Sequence, residues 1–210
     1  MTRIKVCGIT NLEDALAALE AGADLLGFNF YTRSPRFITP AEARKIIEQL
    51  PGSVASVGVF VNESAPADVE RIAREAGLGA VQLHGDETPE FCQSLHGLTT
   101  IKALRVGAGF NVETAAAYQT GAVLLDAYVA GERGGTGHTF DWTLATLTCK
   151  LVSRLFLAGG LNPDNVATAV AAVRPYAVDV CSGVETAPGR KSPQLMRRFV
   201  EEVRAVENSQ

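Results

Sequence analysis

The chain has 210 residues, 47% of them hydrophobic, and a formal net charge of −4. That length suits one domain with a large core, and the acidic balance speaks against nucleic acid as a partner, which calls for a basic face. No window reaches membrane-spanning length, and Met1-Thr2-Arg3-Ile4-Lys5-Val6 holds no apolar core of signal-peptide length, so a soluble cytoplasmic protein is expected.

In chain order, Ile4–Cys7 is a first short strand, ended by Gly8. Thr10, with Glu13 three residues on, reads as the capping box of a first helix. Leu12, Ala15, Leu16 and Leu19 form its apolar face and Gly22 its stop. Leu25–Phe30 is the second strand, followed by a polar loop from Tyr31 to Phe37. Thr39-Pro40-Ala41-Glu42 opens a second capped helix, with Ile46, Ile47 and Leu50 on its buried side. Val54–Phe60 is the third strand, and Val69, Ile72, Ala73 and Ala76 mark a helix stopped by Gly77. Ala80–Leu83 is the fourth strand, Thr88-Pro89 opens the fourth helix, and Thr100–Leu104 is the fifth strand. A weak helix near Asn111–Tyr118 precedes the sixth strand, Ala122–Leu125, which runs straight into Asp126. A Gly-rich loop, Gly131 to Gly137, leads to a helix around Trp142–Leu147. The last two strands lie within Leu155–Leu157 and Val178–Val180, and Ser192-Pro193 caps a final helix with Leu195, Met196, Phe199 and Val203 inward.

Eight apolar runs thus alternate with eight helical patterns, and no linker or composition break divides residues 1–210. Continuously apolar strands imply a sheet covered on both faces, hence parallel. An open doubly wound sheet shows the same alternation. Eight near-equal units point instead to closure into a single-domain (β/α)8 (TIM) barrel with a parallel eight-stranded core.

In a barrel the chemistry sits where strands end. The residues there are Cys7, Asn29, those after Phe60, His84, Lys102 to Arg105, Asp126, Gly159 and Asp179. After strands 7 and 8 come two small-residue turns, Gly159-Gly160 and Ser182-Gly183. Uncovered backbone N–H groups beside a helix start suit a phosphate; the same glycines also serve ordinary strand–helix geometry. Asn162-Pro163 reads as the N-cap and first position of the helix after strand 7. Cys7 and Asp126 are suited to proton transfer across a shared mouth, although a buried structural thiol and a loop carboxylate fit the same residues. The loop motif Gly134-Gly135-Thr136-Gly137 lacks both the P-loop ending and the Rossmann spacing. It fits a mobile cover over the mouth, or a plain surface loop. Cys7, Cys92, Cys149 and Cys181 stand far apart with no C-x-x-C pair, so reduced thiols are expected rather than a metal site or a disulfide framework.

Lys5-Val6-Cys7-Gly8-Ile9-Thr10, Ser34-Pro35-Arg36, Gly58-Val59-Phe60, Gln82-Leu83-His84-Gly85, Leu125-Asp126, Gly134-Gly135-Thr136-Gly137 with Phe140-Asp141-Trp142, Leu157-Ala158-Gly159-Gly160-Leu161 and Ser182-Gly183-Val184-Glu185 occur in that order. As an ordered set spanning nearly the whole chain, they resemble the phosphoribosylanthranilate isomerases of tryptophan biosynthesis. The resemblance implies an Amadori rearrangement of a phosphorylated aminoaldose, with no cofactor and no metal. Asp126 would protonate the ribose ring oxygen, and Cys7 would remove the C2′ proton. These roles ask for a thiol pKa below, and a carboxyl pKa above, the ordinary values. Arg36 would hold the anthranilate carboxylate, Asp179 would face the sugar or amine, and His84 would line the pocket. Gly159, Gly160, Ser182 and Gly183 would hold the phosphate through backbone amides. For Arg36 a solvated loop arginine, and for His84 a structural histidine, remain the alternatives. A histidine-pathway aminoaldose isomerase is a rival, although two aspartates are expected there and strand 1 here ends in Cys7. A catalytically silent barrel that binds a phosphorylated ligand is another rival. Monomer and homodimer both stay open.

Overall fold

A computed structural model describes residues 1–127 and 142–208; the Gly131–Gly137 loop and Phe140-Asp141 lie outside the described residues. Strands β1 (Arg3–Cys7), β2 (Leu25–Asn29), β3 (Ala55–Phe60), β4 (Ala80–Leu83), β5 (Thr99–Val106), β6 (Ala122–Ala127), β7 (Leu155–Leu157) and β8 (Ala177–Val180) form a closed barrel in sequence order. Neighbours pair in parallel, and β8 returns to β1 with Lys5 opposite Asp179 and Val6 opposite Val180. Helices α1 (Leu12–Ala21), α2 (Pro40–Ile47), α3 (Pro66–Ala76), α4 (Pro89–Gln93), α5 (Glu113–Ala116), α6 (Trp142–Thr148), α7 (Val166–Val173) and α8 (Pro193–Asn208) follow the strands. No described helix is long and apolar enough to cross a membrane.

The period of two along each strand sorts the side chains into two cores. Leu25, Val57, Ala80, Ile101, Ala103, Leu124, Phe156 and Ala177 fill the inside of the barrel. Val6, Leu26, Phe28, Val81, Leu83, Leu125, Leu157 and Val178 point outward and pack under the helices. Both phases are buried, which is why the strands read as unbroken apolar runs rather than as alternation.

Most element starts follow their local chemistry. Thr39 and Glu42 form the expected capping box of α2, Thr88 caps α4, and Gly22 and Gly77 close α1 and α3 in the left-handed conformation. Four expectations shift. The N-cap of α1 is Asn11, whose side chain accepts from Asp14 N, while Thr10 Oγ1 donates to Gly189 O at 2.7 Å. Leu16 lies 46% exposed, because Ala15 and Ala18 form the buried face of α1. α7 starts at Val166 rather than Pro163, since Asn162 Oδ1 is spent on Asp164 N in a preceding turn. The weak fifth helix shrinks to four residues. An antiparallel hairpin of β9 (Glu185–Ala187) and β10 (Arg190–Lys191), which no pattern announces, folds over the end of β8. Asp14 ties it to α1 by accepting from Lys191 N at 2.9 Å.

Candidate active site

The inward rungs at the carboxyl end of the barrel carry the polar groups. On β1 these are Lys5 and Cys7, and on β8 Asp179, with Cys181 one rung further on. Cys7 is 8% exposed and lies opposite Gly27. A Cβ on Gly27 would stand 2.7 Å from Cys7 Sγ, so glycine there makes room for the sulfur. The Cys7 thiol is held well below its usual range, first by a hydrogen bond from Cys181, then by the charges of Lys5 and Lys191, against the opposing effect of burial. Lys5 Nζ lies 2.9 Å from Asp179 Oδ1, with both side chains buried. Burial pulls the Lys5 pKa down, but Asp179 and Cys7 together push it up. Asp179 is raised to about 7, mainly by burial, with Lys5 opposing and Cys7 and Asp126 adding to the rise.

Across the mouth, β4 continues into His84, in phase with the inward Gln82. Gln82 Nε2 lies 2.9 Å from His84 Nδ1, and His84 Nε2 lies 3.1 Å from Asp126 Oδ2. With the amide so placed, Gln82 donates to Nδ1, and the Nε2 hydrogen of His84 points at Asp126. Asp126, on β6 and 32% exposed at its side chain, stands beside Arg105 on the neighbouring strand.

Arg36 reaches the mouth from the loop after β2, lying over Gly8, where a Cβ would come within 2.6 Å of Arg36 Cδ. Its fork is turned to Glu185, with Nε 2.8 Å from Oε1 and Nη2 2.6 Å from Oε2. Glu185 also accepts from Lys191 Nζ at 2.8 Å. Although burial pushes the Glu185 carboxyl up, the bonds from Arg36 and Lys191 outweigh it and hold the group low. Beyond β7, Gly159 and Gly160 take φ of +86° and +65°, which favours glycine. Gly183 sits in a 3-10 turn, Ser182–Val184, so close that a Cβ on it would overlap Leu161 O. The two small-residue turns therefore abut.

Cys7, Arg36, His84, Asp126, Asp179 and the two turns, Gly159-Gly160 and Ser182-Gly183, thus come to one end of the barrel. Two groups depart from the strand-end expectation. Lys102 turns outward and is buried against Glu87 at 2.6 Å. Asp179 is occupied by Lys5 below the rim rather than free at the mouth. Lys5, Gln82, Cys181, Glu185 and Lys191 were not singled out. A signal existed for the first three, which stand two residues from Cys7, His84 and Asp179 and so share their strand face. Scattered in sequence, Cys7 and Cys181 are neighbours in space.

A closed parallel barrel with titratable side chains gathered at the carboxyl ends of its strands defines the class, a (β/α)8-barrel enzyme. Residues 4–202 match the model of the family described as N-(5'phosphoribosyl)anthranilate (PRA) isomerase. The chain is 52% identical over 200 residues to N-(5'-phosphoribosyl)anthranilate isomerase from Trichlorobacter lovleyi, covering 95% of this chain and 97% of that one. The crystal structure of phosphoribosyl anthranilate isomerase from Thermotoga maritima superposes with a TM-score of 0.92 at 46% identity, covering 98% of this chain and all of that one. A phosphoribosyl anthranilate isomerase solved in complex with reduced 1-(o-carboxyphenylamino)-1-deoxyribulose 5-phosphate gives 0.88 at 43% identity, covering 98% and 100% of the two chains. The chain belongs to the N-(5'-phosphoribosyl)anthranilate isomerase family, as an isomerase of tryptophan biosynthesis.

Proposed function

We propose that the Amadori rearrangement of N-(5'-phosphoribosyl)anthranilate runs in this chain on Asp126 as general acid and Cys7 as general base. Asp126 gives a proton to the ribose ring oxygen as the bond from C1′ to that oxygen breaks. The nitrogen lone pair moves in to form the Schiff base. Cys7 sulfur then takes the C2′ proton, the electrons of that C–H bond make the C1′–C2′ double bond of an enolamine, and the π pair of the C=N bond returns to nitrogen. Loss of the enol proton and protonation at C1′ give 1-(2-carboxyphenylamino)-1-deoxyribulose 5-phosphate. Each group supplies one proton transfer, and no redox partner enters the balance.

The observation that carries this reading is the place of Cys7, inward at the end of β1 with Lys5 below it and Cys181 at the end of the adjoining strand. A thiol is a useful base near neutral pH only as the thiolate, and Cys181, Lys5 and Lys191 favour that form. Arg36 supports the substrate carboxylate with the guanidinium edge not turned to Glu185. The abutting turns at Gly159-Gly160 and Ser182-Gly183 take the phosphate, and His84 lines the pocket and orients Asp126. A second assignment puts the acid on Asp179, whose carboxyl, raised to about 7, holds a proton near neutrality. Its contact with Lys5 and 8% side-chain exposure suit charge placement beneath Cys7 better than contact with a ring oxygen.

Cys7→Ser and Asp126→Asn test the reading. Each is expected to lower kcat by roughly 10²- to 10⁴-fold while circular dichroism stays that of the folded parent. Asp179→Asn is expected to lose less. Full turnover in Cys7→Ser, or a larger loss in Asp179→Asn than in Asp126→Asn, would overturn the assignment.

A further inference from the structure

Cys181 belongs to none of the roles above, yet it is the side chain closest in kind and place to Cys7. The β1–β8 register puts Lys5 beside Asp179 and Val6 beside Val180, so Cys7 and Cys181 occupy the next rung, both on the inward face. Gly8 turns the chain away at φ +79°, and a Cβ there would stand 3.1 Å from Cys181 Sγ, so the sulfur fills the space that this glycine leaves. From the hairpin, Lys191 Nζ donates to Cys181 O at 3.2 Å and lies 3.8 Å from Cys181 Sγ. The two thiols thus stand side by side at the ends of adjoining strands, and each acts on the other's affinity for a proton.

We infer that Cys181 is a positioning residue for the isomerisation: its S–H donates to Cys7 sulfur, holding that atom as a thiolate aimed into the mouth. The direction of the bond belongs to the inference, and the opposed shifts of the two thiols agree with it. Cys7 faces Lys5 directly, whereas Cys181 is pushed well above the ordinary thiol range by its bond to Cys7 and by burial, with Lys191 and Arg36 opposing. In this arrangement Cys181 keeps its proton and Cys7 gives its proton up. The charged groups facing the sulfur are Lys5 and Asp179 from the strands below, and Lys191 and Glu185 from the hairpin. Arg36 approaches from the loop after β2, and Asp126 with His84 lies across the mouth. Three cations thus stand around one thiolate, and among the described residues Cys181 offers it a neutral donor on the adjoining rung.

The inference rests on Cys7 being the base, and its test keeps the two claims apart. Alkylation of Cys7 by iodoacetamide is followed against pH by mass spectrometry of the Cys7-containing peptide, for the parent, Cys181→Ala and Cys181→Ser. The acidic limb of kcat/KM is recorded for the same proteins. Losing one hydrogen bond to a charged sulfur is expected to move the alkylation midpoint of Cys181→Ala up by about one pH unit, with the acidic limb following it. Cys181→Ser, which keeps an O–H donor in a smaller side chain, is expected to restore most of both shifts, and it serves as the folded control should the alanine variant be unstable. A Cys181→Ala midpoint equal to the parent's, or a serine variant shifted as far as alanine, overturns the role of Cys181 while leaving Cys7 to its own substitution test. A midpoint that moves while the acidic limb stays fixed overturns both claims, because the sulfur titrating there is then not the base.

Discussion

A single ammonium, Lys5 Nζ, serves two acids, Asp179 on the next strand and Cys7 two residues along its own. Around that shared ammonium their affinities for a proton separate: Cys7 falls, first through the bond from Cys181 and then through Lys5 and Lys191, and Asp179 rises to about 7, mainly through burial with Cys7 adding to it. The opposite arrangement holds around Glu185, where one carboxylate receives both Arg36 and Lys191 and stays ionised. Arg36→Met keeps most of the stem over Gly8 but removes the fork, and Lys191 still covers Glu185. The variant is expected to fold normally and to raise KM by the equivalent of about 1.5–3 kcal/mol, the scale of a charge-assisted pair. Steady-state kinetics with the anthranilate substrate check this, and an unchanged KM would remove Arg36 from the carboxylate site. The placement of Cys7 and Asp126 at the mouth was legible in the sequence because reactive side chains ending apolar runs are conspicuous. Lys5 was not, because a lysine inside a strand reads as a blemish until the register shows it beneath Cys7. Arg36 carried no signal of its own and stood out only through the resemblance.

Among the elements, the strands and the longer helices were legible because burial on both faces writes apolar runs and capping writes its own punctuation, as at Thr39-Pro40-Ala41-Glu42. The β9–β10 hairpin was not, since strands of three and two residues are too short to show a period. What holds the hairpin is tertiary: Thr10 binds Gly189 O and Asp14 binds Lys191 N. The same bonds explain why Thr10 gave up its expected capping role to Asn11. The abutting turns were legible as glycines, but their contact was not, because it joins two separate β/α units. Gly183→Ala tests that contact. The added methyl meets Leu161 O and Asn162, which have no flexible side-chain end to yield, so the turns must part. The expected result is a higher KM and weaker competitive inhibition by inorganic phosphate, with kcat at saturation changed less. Inhibition by phosphate at the parent's strength in Gly183→Ala would place the phosphate elsewhere.

At the scale of the molecule, the barrel wall carries a buried ion pair on each face, Lys5–Asp179 inside and Lys102–Glu87 outside under the helices. Burying charges in this way is weak ground for stability, though removing one partner alone costs several kcal/mol. The inner pair shares its charge with Cys7, and that sharing makes folding depend on pH in two opposed windows. Asp179 in the folded chain holds its proton up to about 7, whereas the unfolded carboxyl loses it near the ordinary value of about 4. Its contribution is therefore full below about pH 4 and is lost as pH rises through about 7. Cys7 works the other way, having released in the folded chain a proton that the unfolded thiol keeps to about 8.5. Its contribution is full above that value and is lost as pH falls through the lowered folded pKa. Urea denaturation of the parent, Asp179→Asn and Cys7→Ser across about pH 5 to about pH 9 separates the two. The stability of the parent relative to Asp179→Asn is expected to shrink as pH rises toward about 7, and that relative to Cys7→Ser to grow toward about 8.5. A parent-to-variant difference that stays flat across either window would show that the corresponding group keeps its ordinary affinity for protons, and would break the link between the buried lysine and the reactive sulfur.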